Sequence, residues 1–163
     1  DHRDLHSFPT RRSSDLAGTA GSVLATLIWA LMAYLGGFNG ETLQSITFFL
    51  VILSTLLGTW ATARLQPYWG EDPSRVVIDE MAGVWIPLSL ITPFTATGAP
   101  KDAWWWALVA LVLFRFFDMV KPLGIKWLDR KKGAFYVMAD DLLGGFYAAV
   151  VMLIAKIIFL WVR

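Results

Sequence analysis

The chain contains no cysteine and only two histidines, His2 and His6. The missing thiols exclude disulfides, thiolate zinc centres and cysteine nucleophiles. Residues 17–163 have no histidine either, so neither a phosphohistidine intermediate nor a Ser-His-Asp triad can be assembled from them. Charge is scarce as well. Asp, Glu, Lys and Arg make up 17% of the 163 residues, against roughly 25% in soluble domains. The net charge of +1 leaves no footprint for a nucleic-acid partner. What the chain does have is apolar bulk: 56% hydrophobic residues, with nine Trp and eleven Phe. That composition predicts an integral membrane protein, and the length predicts one domain.

Residues 1–16 (DHRDLHSFPTRRSSDL) stand apart. They are polar and basic, lack the apolar stretch of a secretory signal, and give way abruptly to apolar sequence at Ala17. The segment resembles the translation of a short-read sequencing adapter fused to a truncated gene, and the alternative is a disordered basic tail. Either way the expected domain is 17–163.

Five apolar segments follow. Gly21–Phe38 and Leu43–Ala63 are uncharged and approach or reach the roughly 20 residues of a spanning helix. The third, Val76–Thr92, carries Asp79, Glu80 and Pro87, and is expected either to span with a kink or to be re-entrant. Ala103–Val120 opens on three Trp, an interfacial anchor, and Ala139–Val162 is the last. The expected fold is all-α, a polytopic bundle of four to five apolar helices with the third short or kinked. The connectors 64–76 and 121–138 hold Arg64, Arg75, Lys121, Lys126, Arg130, Lys131 and Lys132, whereas the opposite side holds only Lys101, plus Arg163 at the terminus. The positive-inside rule puts those connectors in the cytoplasm.

On that topology the polar residues gather at one boundary. Thr19 and Ser22 precede the first helix, Asp79 and Glu80 open the third, Asp118 and Lys121 end the fourth, and Asp140 and Asp141 open the last. Ionisable groups at membrane depth are costly and mark function by default. Each group also has a structural role open to it: helix capping for Asp140-Asp141 and for Thr19 or Ser22, an i,i+3 ion pair for Arg115 and Asp118, and a snorkelling anchor for Lys121-Pro122. Asp79-Glu80, inside an apolar run, fits a structural role least well. Carboxylates without His or Cys suit a hard cation such as Mg²⁺, which is usually held by one or two carboxylates plus substrate phosphate. Asp79, Glu80, Asp140 and Asp141 are the candidate ligands. Thr19, Ser22, Arg115 and Lys121 are the candidate phosphate contacts, with Lys126 a further cation nearby. Together they point to phosphate-ester chemistry on a lipid headgroup.

Four motifs now stand in order: Gly18-Thr19-x-Gly21-Ser22, Asp79-Glu80-x-x-Gly83, Arg115-x-x-Asp118-x-x-Lys121-Pro122 and Asp140-Asp141-x-x-x-Gly145. In order and spacing the set resembles the phosphatidylglycerophosphatase A family from Gly18 to the C-terminus. The resemblance implies a Mg²⁺-dependent phosphatase of the bacterial inner (cytoplasmic) membrane that converts phosphatidylglycerophosphate to phosphatidylglycerol and phosphate. Its catalytic residues would be Asp79, Glu80, Asp118, Lys121, Asp140 and Asp141. A nucleotide-dependent headgroup phosphotransferase and a non-enzymatic transporter are the competing classes. The first has a longer Asp-Gly…Ala-Arg run that is absent here, and the second would place acidic groups near the midplane. For the phosphatase, direct attack by water with Glu80 or Asp79 as base is expected, with a phospho-aspartyl intermediate as the rival route.

Overall fold

In hydrocarbon every backbone N–H and C=O must find its partner within the chain, so uncharged runs of this length fold as helices. The computed structural model describes residues 8–36, 38–69, 77–91, 103–122, 124–131 and 133–162. It contains six helices: α1 (Phe8–Leu35), α2 (Gly40–Trp69), α3 (Ile78–Ser89), α4 (Ala103–Val120), α5 (Ile125–Asp129) and α6 (Ala134–Val162). Four of them contain stretches long and apolar enough to cross a membrane: Leu16–Leu35, Gly40–Tyr68, Ala103–Val120 and Ala134–Phe159. Among the described residues there is no strand. The all-α membrane bundle expected from the sequence is the fold observed.

The boundaries differ in three places. Helix α1 starts at Phe8, inside the segment expected to be foreign or disordered; no Pro or Gly interrupts Thr10–Ala17, so the helix runs on past the apolar limit. Helix α2 continues through Arg64 and Pro67 to Trp69, where a connector was expected. Helix α6 begins at Ala134, not at Ala139. In each case hydropathy marks where the apolar stretch ends, not where helical hydrogen bonding ends. The loop 93–102 lies outside the described residues.

Helix α3 organises the bundle. Its 12 residues rise only about 18 Å, short of a roughly 30 Å hydrocarbon core. Most of them are buried, Asp79 included. Trp85 donates its indole N–H to the Ala25 carbonyl of α1 at 3.1 Å. Trp29, Trp85, Leu88, Phe114 and Met152 meet in the core, one or more from each of α1, α3, α4 and α6. By contrast Leu24, Leu31, Phe49, Leu56, Val112 and Ile158 are exposed on the outer faces of the spans, where lipid would cover them.

Contacts fix the direction of α3. Gly83 lies against Gly145 and against the Asp141 carbonyl of α6, and further along Ile91 accepts a hydrogen bond from Lys156. The two helices therefore run parallel, and α3 travels most of the way through the bundle instead of turning back. Within 77–91, the described part of this segment, the chain does not double back.

Candidate active site

The first turn of α3 carries two carboxylates. Asp79 takes up the N–H of Glu80 on its own Oδ1 at 2.8 Å, satisfying one of the donors every helix start leaves open. Asp140 does the same for the N–H of Asp141 at 3.0 Å. Asp140 and Asp141 are no caps, however, because α6 has already run six residues before Asp140. Likewise Thr19 and Ser22 sit in the interior of α1. Ser22 is fully buried and its hydroxyl donates to the Gly18 and Thr19 carbonyls at 3.0 and 3.2 Å, while Thr19 is exposed.

Charge is distributed unequally over the cluster. One nitrogen of Arg115 reaches Glu80 at 2.5 Å and Asp118 at 2.7 Å. The i,i+3 pair between Arg115 and Asp118 is thus real, but it is half of a three-residue bridge joining α4 to α3. Lys121 holds Asp140 at 3.2 Å. Lys121 ends α4 in the left-handed region (φ 44°), its N–H bonded to the Phe117 carbonyl at 2.8 Å. A side chain rarely accepts that backbone. Here it turns the lysine stem toward α6. Among the described residues, Asp79 and Asp141 form no ion pair, although they are only 6% and 7% exposed. Asp141 lies within electrostatic range of Asp79, Asp140, Glu80 and Asp118. The five carboxylates named in the sequence do converge, at the end of the bundle where α3 and α6 begin and α4 ends.

Helix α3 lies outside the four spans, and at its first turn burial dominates the acidity. It pushes the Asp79 carboxyl up to about 8, with the charges of Glu80 and Asp140 adding and the backbone N–H bonds opposing. Glu80 is pushed up to about 7, again mainly by burial, with Asp118 adding and Arg115 opposing. Both can exchange a proton near neutral pH.

Two close approaches hold the cluster together. A Cβ on Gly18 would overlap the Glu80 carboxylate, so α1 meets the site through a bare backbone. A Cβ on Gly145 would overlap the Gly83 carbonyl, so α3 and α6 touch backbone to backbone one turn below Asp79 and Asp141. The motif glycines were visible in the sequence; their partners were not.

The donor set can be tested against a divalent ion. Among the described residues Arg115 and Lys121 are the cations paired with the five carboxylates, and Asp79 and Asp141, the most buried, pair with neither. Among the described residues no group of three or more His, Cys, Asp or Glu is placed to hold a metal ion, so Asp79, Glu80, Asp140 and Asp141 do not stand together as a ready four-ligand site. An ion held here would have at most Asp79 and Asp141 as buried carboxylate ligands and would take the rest of its shell from water and phosphate, a donor set of the kind Mg²⁺ accepts.

The chain is similar in sequence to known lipid phosphatases. A family model described as phosphatidylglycerophosphatase A matches residues 7–156. A Bacteroides thetaiotaomicron protein, provisionally named a phosphatidylinositol-3-phosphatase, is 44% identical over 85% of this chain and 82% of its own. Phosphatidylglycerophosphatase A of Haemophilus influenzae is 34% identical over 83% of this chain and 76% of its own. That of Escherichia coli K12 is 31% identical over 87% and 75%. No solved structure matches the chain.

Proposed function

The chain belongs to the phosphatidylglycerophosphatase A family, and from that membership we propose that it removes the terminal phosphate of phosphatidylglycerophosphate in a Mg²⁺-dependent reaction, as a step in making phosphatidylglycerol. It is a phosphoric monoester hydrolase. The observation that carries the reading is the buried pair Asp79 and Asp141, which form no ion pair among the described residues and share the cluster with the Glu80–Arg115–Asp118 and Asp140–Lys121 ion pairs.

In this proposal Asp79 and Asp141 hold the ion. Bound there, Mg²⁺ would neutralise phosphate charge and acidify water. Lys121 and Arg115 turn from their carboxylates to the phosphoryl oxygens and stabilise the charge that develops on them. The turn of Arg115 releases Glu80. Raised toward neutrality by burial, Glu80 takes a proton from the attacking water as the bond from phosphorus to the glycerol oxygen breaks, and can return it to that oxygen. Thr19 is exposed at the rim as a further phosphate contact, whereas the Ser22 hydroxyl is turned inward.

The test is phosphate release from phosphatidylglycerophosphate by the purified protein in mixed micelles. Release should require Mg²⁺, need no nucleotide, and exceed release from phosphatidylinositol 3-phosphate, the competitor suggested by the name of the Bacteroides relative. Glu80→Gln should lower kcat about 100-fold. Full activity in excess EDTA would refute the metal, and an unchanged Glu80→Gln rate would remove Glu80 as the base.

We place the protein in the bacterial inner membrane with the site at the cytoplasmic face, on the weight of basic residues in 64–76 and 121–138. The cysteine-free background makes the check direct. A single Cys at 97 should react with an impermeant maleimide added to spheroplasts and one at 126 should not; the opposite pattern inverts the topology.

A further inference from the structure

Lys156 sits in the apolar end of α6, remote from the acidic cluster, and is only 3% exposed. Its ammonium group donates to the Ile91 carbonyl at 3.2 Å and lies 4.7 Å from the centre of the Trp106 ring. Trp106 in turn stands edge-on to Phe159. A buried cation at membrane depth is costly, and an apolar side chain would fill the same space without that cost. The explanation for the lysine lies at the end of α3. That helix stops inside the bundle, where water cannot satisfy its last carbonyls. Ser89 Oγ donates to Ile86, Leu90 N–H to Pro87 and Ile91 N–H to Leu88. The Ile91 carbonyl, just beyond them, is taken by Lys156, and a cation also suits the negative end of the helix dipole.

We propose that Lys156 is a positioning residue for the phosphatase reaction: by fastening the C-terminal end of α3 to α6 it sets the depth at which Asp79 and Glu80 stand beside Asp141. Between this clamp and the site α3 is one helix as far as Ser89, with Pro87 inside it, and it touches α6 backbone to backbone at Gly83 and Gly145, so a shift at Ile91 has a short path to the first turn of α3. The inference rests on the reading of Asp79 and Glu80 as catalytic machinery.

The full-length protein in liposomes is compared as wild type, Lys156→Met, Lys156→Gln and Lys156→Arg, reading kcat and KM, the thermal midpoint, and hydrogen exchange of the α3 amides. Lys156→Met should lower kcat about tenfold with KM within about twofold, because a displacement of under 1 Å suffices for such a loss. It should speed exchange in α3 selectively and leave the thermal midpoint unchanged or higher, since a buried charge has been removed. Lys156→Arg should restore both kcat and α3 protection. Unchanged kcat in Lys156→Met, a loss that Arg does not rescue, or faster exchange in all helices together would each overturn the proposal. If Lys156→Met does not fold, Lys156→Gln, which keeps an N–H donor without the charge, carries the same comparison. Wild-type activity in Asp79→Asn would instead refute the catalytic reading, while selective exchange in Lys156→Met would still support the clamp.

Discussion

Replacing either Asp79 or Asp141 by Asn should cost roughly 1,000-fold in kcat, while leaving the fold as stable as before or more so. The two halves of that expectation have one cause. Both carboxylates are buried with no cationic partner among the described residues, so each is a net cost to the folded state until an ion or substrate arrives. Asn keeps the shape and the polar atoms and removes the charge. Several kcal/mol of charge stabilisation in the transition state goes with it, and each 1.36 kcal/mol is a factor of ten. Asp140→Asn is the control. Its charge is shared with Lys121, so its loss should cost only about tenfold, mostly by freeing that lysine to move. Phosphate release and the thermal midpoint in detergent, measured on the three variants, decide the matter. A collapse of the midpoint alongside activity would make Asp79 and Asp141 structural.

Gly145→Ala should be the most damaging glycine-to-alanine change among the described residues, and Gly144→Ala, one residue earlier, should be nearly silent. A Cβ at 145 would run into the Gly83 carbonyl, a backbone atom that cannot rotate aside. At 144 the nearest atoms, from Ile125 and Phe114, are 3.9 Å away, an ordinary contact. Overpacking on this scale costs about 3 kcal/mol, and the helices can relieve it only by separating. Separation draws Asp79 away from Asp141. Gly145→Ala should therefore lower the thermal midpoint and reduce kcat by more than the remaining folded fraction explains. Equal behaviour of the two alanine variants would mean that α3 and α6 do not pack as described.

The sequence marks the polar cluster residue by residue and the number of apolar helices, but not where the helices end. Ionisable residues are so scarce in the apolar runs that Asp79, Glu80, Arg115, Asp118, Asp140 and Asp141 stood out individually, and the positive-inside pattern put them at one boundary. Helix ends were misread where a helix outruns its apolar stretch, as at Pro67, which in the last turn removes one bond at an end that frays anyway. With α6 starting at Ala134 instead of Ala139, capping disappears as an explanation for Asp140 and Asp141, which strengthens the functional reading. Two features depend on which helices touch and at what register. The contact of Gly83 with Gly145 is one. The other is Lys156, a single cation in a long apolar run that the membrane-depth rule alone could have flagged.

Because α3 and α6 meet through bare backbone, the two halves of the carboxylate cluster behave as one piece in a changing bilayer. Membranes of different thickness make spanning helices tilt to match their apolar length, and sliding between neighbours is the usual response. Pairs separated by a layer of side chains can respond in that way. The α3–α6 pair cannot, since Gly83 and Gly145 leave no layer of side chains between them to shear. Acyl-chain length should then govern how readily a lipid headgroup reaches the site, and hence KM, with little effect on kcat.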